Sequence, residues 1–173
     1  LWEFDELKFP EPKAMVDELH SLGFTVMLWV TPLVTADGLD FIRYIRHDFN
    51  PETYDQLFLR DKNGEIAFAR WWNGYSAILD FRKDCDRAFF TDKLNRLMQE
   101  YGVDGFKFDG GNITCFKRCN WVTEPPVQTA EELNRAWNEF GESYEYHEYK
   151  DTFKGGGKSV IQRLQDRNHS WTD

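Results

Sequence analysis

Cysteine, basic charge and long apolar runs are all scarce in this 173-residue sequence, and each scarcity removes a class of function. The three cysteines, Cys85, Cys115 and Cys119, make neither an even disulfide set nor a C-x-x-C pair, so they indicate no redox compartment. Joined by His147 they would offer three soft ligands without a second spaced pair, which predicts free thiols and no metal site. Lysine and arginine total 21 against 30 aspartates and glutamates, for a net charge of −9. An acidic surface with no concentrated basic run repels phosphate, so nucleic acid is excluded as a partner. No apolar stretch approaches the roughly 20 residues of a membrane-spanning helix. The longest, residues 24–30, fits a buried strand instead, and there is no low-complexity segment or short-period repeat.

Aromatic residues, in contrast, reach 17% and include seven tryptophans. They suit either a large core or the stacking of sugar rings on exposed aromatic faces. The local signals are those of an α/β protein. Residues 12–22 predict a helix, with Pro12 in its first turn, apolar Met15, Val16, Leu19 and Leu22 at helical spacing, and Gly23 as its stop. Residues 24–30 then predict a nearly continuous apolar strand, as in a parallel sheet covered on both faces. Helix and strand recur at 87–101 and 103–109, which favours a parallel barrel. Residues 34–84 are too long for an ordinary connection and predict an insertion at the barrel mouth, containing a β-hairpin of 57–60 and 65–69 turning at Asp61-Lys-Asn-Gly64. Residues 112–128 predict a second long loop. Thr129-Ala-Glu-Glu132 then predicts a capping box for a helix whose buried stripe is Leu133, Ala136, Trp137 and Phe140. Residues 144–149 alternate like a further strand.

The chemistry concentrates in Gly102-Val-Asp-Gly-Phe-Lys-Phe-Asp109-Gly-Gly-Asn112. Strand formers lead to an acid, and two glycines after it clear side-chain bulk, so Asp109 can face a ligand; the alternative is an ordinary cap of the next segment. Residues 159–171 again predict a strand ending in an acid, Asp166, followed by His169 and Trp171. Retaining cleavage of a glycosidic bond needs one ionised carboxylate to attack the anomeric carbon and one protonated carboxyl to serve the leaving oxygen, roughly 5 to 5.5 Å apart. Barrel strands all emerge at one face, so acids 57 positions apart can meet there.

Together with Asp5-Glu-Leu-Lys-Phe-Pro-Glu-Pro-Lys13, Val26-Met-Leu-Trp-Val-Thr-Pro32 and Trp71-Trp-Asn-Gly74, these motifs run in family order, and the chain resembles glycoside hydrolase family 31 from about Phe4 to Trp171. The resemblance is strongest to its α-galactosidase-like, myogenesis-regulating-glycosidase-like branch. It implies a (β/α)8 TIM barrel, of which residues 1–173 are expected to hold the central third to sixth strands, because a full barrel takes about 250 residues. It implies Asp109 as nucleophile after the fourth strand and Asp166 as acid/base after the sixth, with an oligosaccharide or glycoside as partner and no cofactor.

Lys107, two residues before Asp109, is expected on its face of the strand, where it would hold the acid ionised or sit in a structural ion pair. Trp29, at the end of the third strand, is a candidate sugar wall, as is one of Trp71 and Trp72, the other being expected in the core. Lys150 and Glu148 on the fifth strand, with Arg163 and His169 near the acid/base, complete the candidate binding set. Asn112 stands where many family members carry glutamate, and Lys150 where some carry arginine. Those departures leave an α-glucosidase, an α-xylosidase or a non-catalytic carbohydrate-binding relative as alternatives to the α-galactosidase.

Overall fold

The computed structural model describes residues 2–48, 56–61, 63–117 and 130–163. Its frame is a four-stranded, all-parallel sheet, fed by helices in the order the sequence predicts. Helix α1 (Pro12–Ser21) starts with proline in its first turn, where the missing N–H is no loss, and buries Val16. Strand β1 (Met27–Val30) follows after a short turn. A three-stranded antiparallel sheet comes next, built from β2 (Leu33–Thr35), β3 (Phe68–Trp71) and β4 (Gly74–Ile78), with helix α2 (Leu39–Ile45) between its first two strands. The parallel sheet resumes through helix α3 (Asp84–Tyr101), strand β5 (Gly105–Phe108), the short helix α4 (Ile113–Lys117), helix α5 (Ala130–Gly141), strand β6 (Tyr146–Tyr149) and the two-residue β7 (Ile161–Gln162).

The order in that sheet is β1-β5-β6-β7, so successive parallel strands are neighbours, as in a partial barrel. Register is continuous across it: Trp29 pairs with Lys107, Lys107 with Glu148, and Glu148 with Ile161. These four therefore form one row. The flanking positions Phe106 and Phe108 point the other way and are 0% and 1% exposed, beneath α5. Asp104 fastens the base of this frame: its Oδ2 accepts from the Val26 amide at 2.7 Å and meets Nε2 of His20 at 2.8 Å, tying α1 and β1 to the start of β5.

Much of the aromatic content goes into one core. Phe81, Phe90, Phe108, Trp137, Phe140, Tyr144 and Tyr149 are all buried, and their rings meet at centroid distances such as 4.6 Å for Phe81 with Trp137 and 5.1 Å for Phe108 with Trp137. Ring pairs in these edge and tilted arrangements add to simple area burial. Burial raises the Tyr144 phenol to about 12, partly offset by a hydrogen bond with Thr91.

The structure adds three local elements to these expectations. The predicted hairpin is present, with Arg60 bridged to Ile66, the Asp61 amide donating to the Glu65 carbonyl at 2.7 Å and the Ala67 amide to the Leu59 carbonyl at 2.8 Å, and β3 and β4 form a second hairpin around Trp72-Asn73, with Gly74 at φ 93°. Residues 113–117 are helical inside the predicted loop, because the Asn112 side chain accepts from the Cys115 amide at 2.7 Å and satisfies an orphan donor of that first turn. Helix α2 also went unpredicted. The predicted capping residue Thr129 lies outside the described residues, whereas the stripe of Leu133, Ala136, Trp137 and Phe140 is buried as expected.

Candidate active site

Asp109 sits one residue beyond β5, where its amide donates to the Val30 carbonyl at 2.9 Å and so continues the β1–β5 pairing past the named strands. Gly110 and Gly111 follow with φ of 65° and 59°, and both must be glycine on space as well. A Cβ on Gly110 would lie 2.5 Å from Thr31 Oγ1, and one on Gly111 would lie 2.7 Å from the Trp137 ring. The turn therefore leaves the acid facing an open cleft.

Three groups converge on the Asp109 carboxylate. Oδ2 accepts from Nε1 of Trp29 at 2.9 Å and from Nη2 of Arg163 at 3.2 Å, while Oδ1 accepts from the Gly110 amide at 2.8 Å. Burial alone would raise this carboxyl. The Trp29 indole, the Gly110 amide and the charges of Lys150 and Arg163 outweigh that cost and hold it below the ordinary aspartate value. The arrangement keeps an anion ready at neutral pH.

Arg163 is shared. Its Nε lies 3.2 Å from Oε1 of Glu148, and that same oxygen lies 3.9 Å from Nζ of Lys107. Lys107 thus pairs with Glu148, and the cations that lower the Asp109 carboxyl are Lys150 and Arg163.

The cleft over Asp109 has a volume of about 470 Å³ and is lined by Trp29, Arg70, Trp71, Trp72, Asn112 and Lys150, among others. Trp29 and Trp71 are parallel, 9° between planes and 6.3 Å between centroids, and Trp72 leans on Trp71 at 5.0 Å. Trp72 is 81% exposed, whereas the partly buried Trp71 packs against the core around Leu33, Ile78 and Phe116 and anchors its indole N–H on Ser76 Oγ at 2.9 Å. Packing against β4 fixes one ring and leaves the other presented to solvent.

Asn134 is a positioning residue that sequence reasoning missed. Its Nδ2 donates to the carbonyls of Gly111 at 2.9 Å and Asp151 at 3.2 Å, and its Oδ1 accepts from the Phe153 amide at 2.9 Å. One fully buried amide on α5 thus ties the loop after β5 to the loop after β6, and so Asp109 to Lys150. The available signal was a polar residue inside an apolar helical stripe. Arg70 went unremarked because it lies on β3, in a second hairpin that the sequence did not predict.

Asp166, His169, Trp171 and Cys119 lie outside the described residues. Among the described residues, no group of three or more His, Cys, Asp or Glu could hold a metal ion. His147 is structural: Nδ1 faces the Tyr144 carbonyl at 2.7 Å and Nε2 accepts from the Val160 amide at 3.3 Å, which requires the neutral Nδ1–H tautomer. No helix among the described residues is long and apolar enough to cross a membrane.

Comparison with known proteins bears on the family and the fold. A family model described as the glycosyl hydrolases family 31 TIM-barrel domain matches residues 1–169. The chain is 33% identical over 172 residues to myogenesis-regulating glycosidase of Mus musculus, covering 98% of this chain and 23% of that protein. It is also 33% identical over 113 residues to a 1,3-alpha-isomaltosidase of Kribbella flavida, covering 60% of this chain and 14% of that protein. Among solved structures, the cycloalternan-degrading enzyme from Trueperella pyogenes in complex with isomaltose superposes with a TM-score of 0.72 at 21% identity, over 94% of this chain and 24% of that one. The cycloalternan-forming enzyme from Listeria monocytogenes in complex with a pentasaccharide substrate gives a TM-score of 0.68 at 24% identity, over 91% of this chain and 16% of that one. The chain therefore spans a quarter or less of the length of these relatives.

Proposed function

This chain belongs to glycosyl hydrolase family 31, within its TIM-barrel domain, and we propose that it carries the catalytic pair of a retaining exo-α-glycosidase. The observation that carries the reading is the Asp109 carboxylate, held ionised by Trp29, Gly110, Lys150 and Arg163 at the foot of an aromatic cleft.

In the first step Asp109 attacks the anomeric carbon and forms a glycosyl ester as the glycosidic bond breaks, while Asp166 gives its proton to the departing oxygen. In the second, Asp166 takes a proton from water, whose oxygen displaces Asp109 and regenerates both groups. Loss of the Asp109 charge in the intermediate lowers the cost of ionising Asp166, which suits its change from acid to base. Trp29, Trp71 and Trp72 offer faces to the C–H side of a sugar ring, and Lys150 with Arg163 offers donors to its hydroxyls. Residues 34–84 belong to this reading as an insertion at the barrel mouth, since β3 and β4 bring Arg70, Trp71 and Trp72 to the cleft.

The substrate we favour is a terminal α-galactoside, on the Lys107-Phe-Asp109 form of the nucleophile strand. The relatives include an alpha-xylosidase and an alpha-glucosidase, so the α-glucoside and α-xyloside are the rival substrates. Hydrolysis of p-nitrophenyl α-galactoside, α-glucoside and α-xyloside by the full-length protein tests both the class and the choice. Sugar binding without hydrolysis of any of them would identify a non-catalytic carbohydrate-binding relative instead.

A further inference from the structure

We propose that Glu148 is a positioning residue that acts on Asp109 through Arg163: as the shared counter-ion of Arg163 and Lys107, it limits how firmly the surrounding cations hold the nucleophile's carboxylate. This rests on the reading above that Asp109 is the nucleophile. Oε1 of Glu148 lies 3.2 Å from Nε of Arg163 and 3.9 Å from Nζ of Lys107, while Nη2 of the same guanidinium donates to Oδ2 of Asp109 at 3.2 Å. Oε1 and Nε are both buried atoms, so the attraction between them is little screened, and the contact is an ion pair without an aligned hydrogen bond.

Strand register builds this arrangement in two layers. Lys107 on β5 pairs with Glu148 on β6, and Glu148 with Ile161 on β7. Two residues further along each strand direction, on the same face, come Asp109, Lys150 and Arg163, and the Arg163 amide donates to the Tyr149 carbonyl at 2.7 Å. Asp109 and Lys150 line the cleft and Glu148 does not, so Glu148 reaches the reacting atoms only through its neighbours.

Of these five charged side chains three are cations, and Glu148 is one of the two anions. Formation of the glycosyl ester removes the charge of Asp109 and leaves Glu148 facing Lys107, Lys150 and Arg163. The transition state on the way to it places positive charge on the sugar as well. Cations that grip the carboxylate stabilise the free enzyme more than either of those states, and that difference slows the step. Glu148 offsets two of them from the layer below, and so lets Asp109 stay ionised without being held too firmly to react.

Glu148→Gln removes the charge at nearly constant shape, and Glu148→Asp restores it on a shorter arm. Both are compared with the wild type as full-length protein labelled with carbon-13 at aspartate Cγ, the NMR signal of Asp109 being the one lost in Asp109→Asn. With a negative neighbour gone the cations act on Asp109 unopposed, so its carboxyl should titrate about one pH unit lower in Glu148→Gln and return most of the way in Glu148→Asp. In the same variant kcat for aryl α-glycosides should fall about tenfold with KM nearly unchanged. An Asp109 titration that stays in place or moves to higher pH in Glu148→Gln overturns the proposal, as does a shift of equal size in Glu148→Asp. If Glu148→Gln melts early, Lys107→Met decides: taking away that cation leaves Glu148 to Arg163 and should move the Asp109 carboxyl to higher pH, and an unmoved titration there overturns the proposal too. Titration is scored apart from hydrolysis. The expected shift in a protein that hydrolyses no glycoside sinks the catalytic reading and leaves this coupling standing, whereas hydrolysis with an unmoved titration does the reverse.

Discussion

The indole Nε1 of Trp29 donates to Oδ2 of Asp109 at 2.9 Å, joining the ends of two adjacent parallel strands across 80 positions of sequence. That bond, with the Gly110 amide and the charges of Lys150 and Arg163, overcomes a burial cost that alone would raise the carboxyl. Trp29→Phe keeps an aromatic face and deletes the donor. The Asp109 carboxyl should then rise, and the acid limb of kcat/KM, where Asp109 takes up a proton, should move to higher pH. An unmoved limb in the variant would remove Trp29 from this role.

Asp109→Ala should lower turnover of the full-length protein by several orders of magnitude, because among the described residues Asp109 is the one carboxylate that lines the cleft. Added azide should restore a glycosyl azide of inverted configuration, readable by NMR. Near-normal activity in the variant eliminates Asp109 as nucleophile.

Asp166→Ala should slow substrates with poor leaving groups far more than activated aryl glycosides, which need little protonation. Steady-state rates across a series of aryl leaving groups check this. Equal slowing throughout the series would be incompatible with an acid at that position.

Asp86 holds the approach to α3 together. Its carboxylate is buried and accepts from the amides of Phe58 and Asp80, both at 2.9 Å, with Nζ of Lys83 at 3.0 Å. Phe58, buried at a φ of 77°, depends on that contact. Asp86→Ala strands two amides, while Lys83 keeps the carbonyls of Gln56 and Phe58, and should cost about 2–4 kcal/mol. Denaturant or thermal melting of the variant measures it, and a loss below about 1 kcal/mol would mean that water replaces the carboxylate.

Residues 1–173 expressed alone are expected to aggregate or lack a cooperative melt, and to be inactive. Among the described residues β1 has a strand neighbour on one side only, and its Trp29 is 44% exposed, so an apolar parallel edge faces solvent. A sharp melting transition together with α-glycoside hydrolysis would refute this.

Local order was legible where a segment was long enough to show its period. Helices α1, α3 and α5 span 10, 18 and 12 residues, and apolar spacing, with Pro12 and Gly23 bounding the first, marked them within a few residues. Helices α2 and α4, of 7 and 5 residues, are too short to display a stripe, and α4 depends on one side-chain cap from Asn112. The hairpin at 61–64 was legible from its glycine turn, whereas that of β3 and β4 went unpredicted because nothing local announces that Trp71 packs on Ser76 across its turn. Asp109 itself could be read directly, since a strand running into two glycines is a local pattern. Its surroundings could not: Trp29 and Arg163 reach it from 80 and 54 positions away, and Lys107 turns to Glu148 because the parallel register sets those two side by side. Sequence determined that a carboxylate stands at the end of this strand. Only the lateral order β1-β5-β6-β7 decided which indole and which cations keep it charged, because that order, and not distance along the chain, sets what lies within hydrogen-bonding reach.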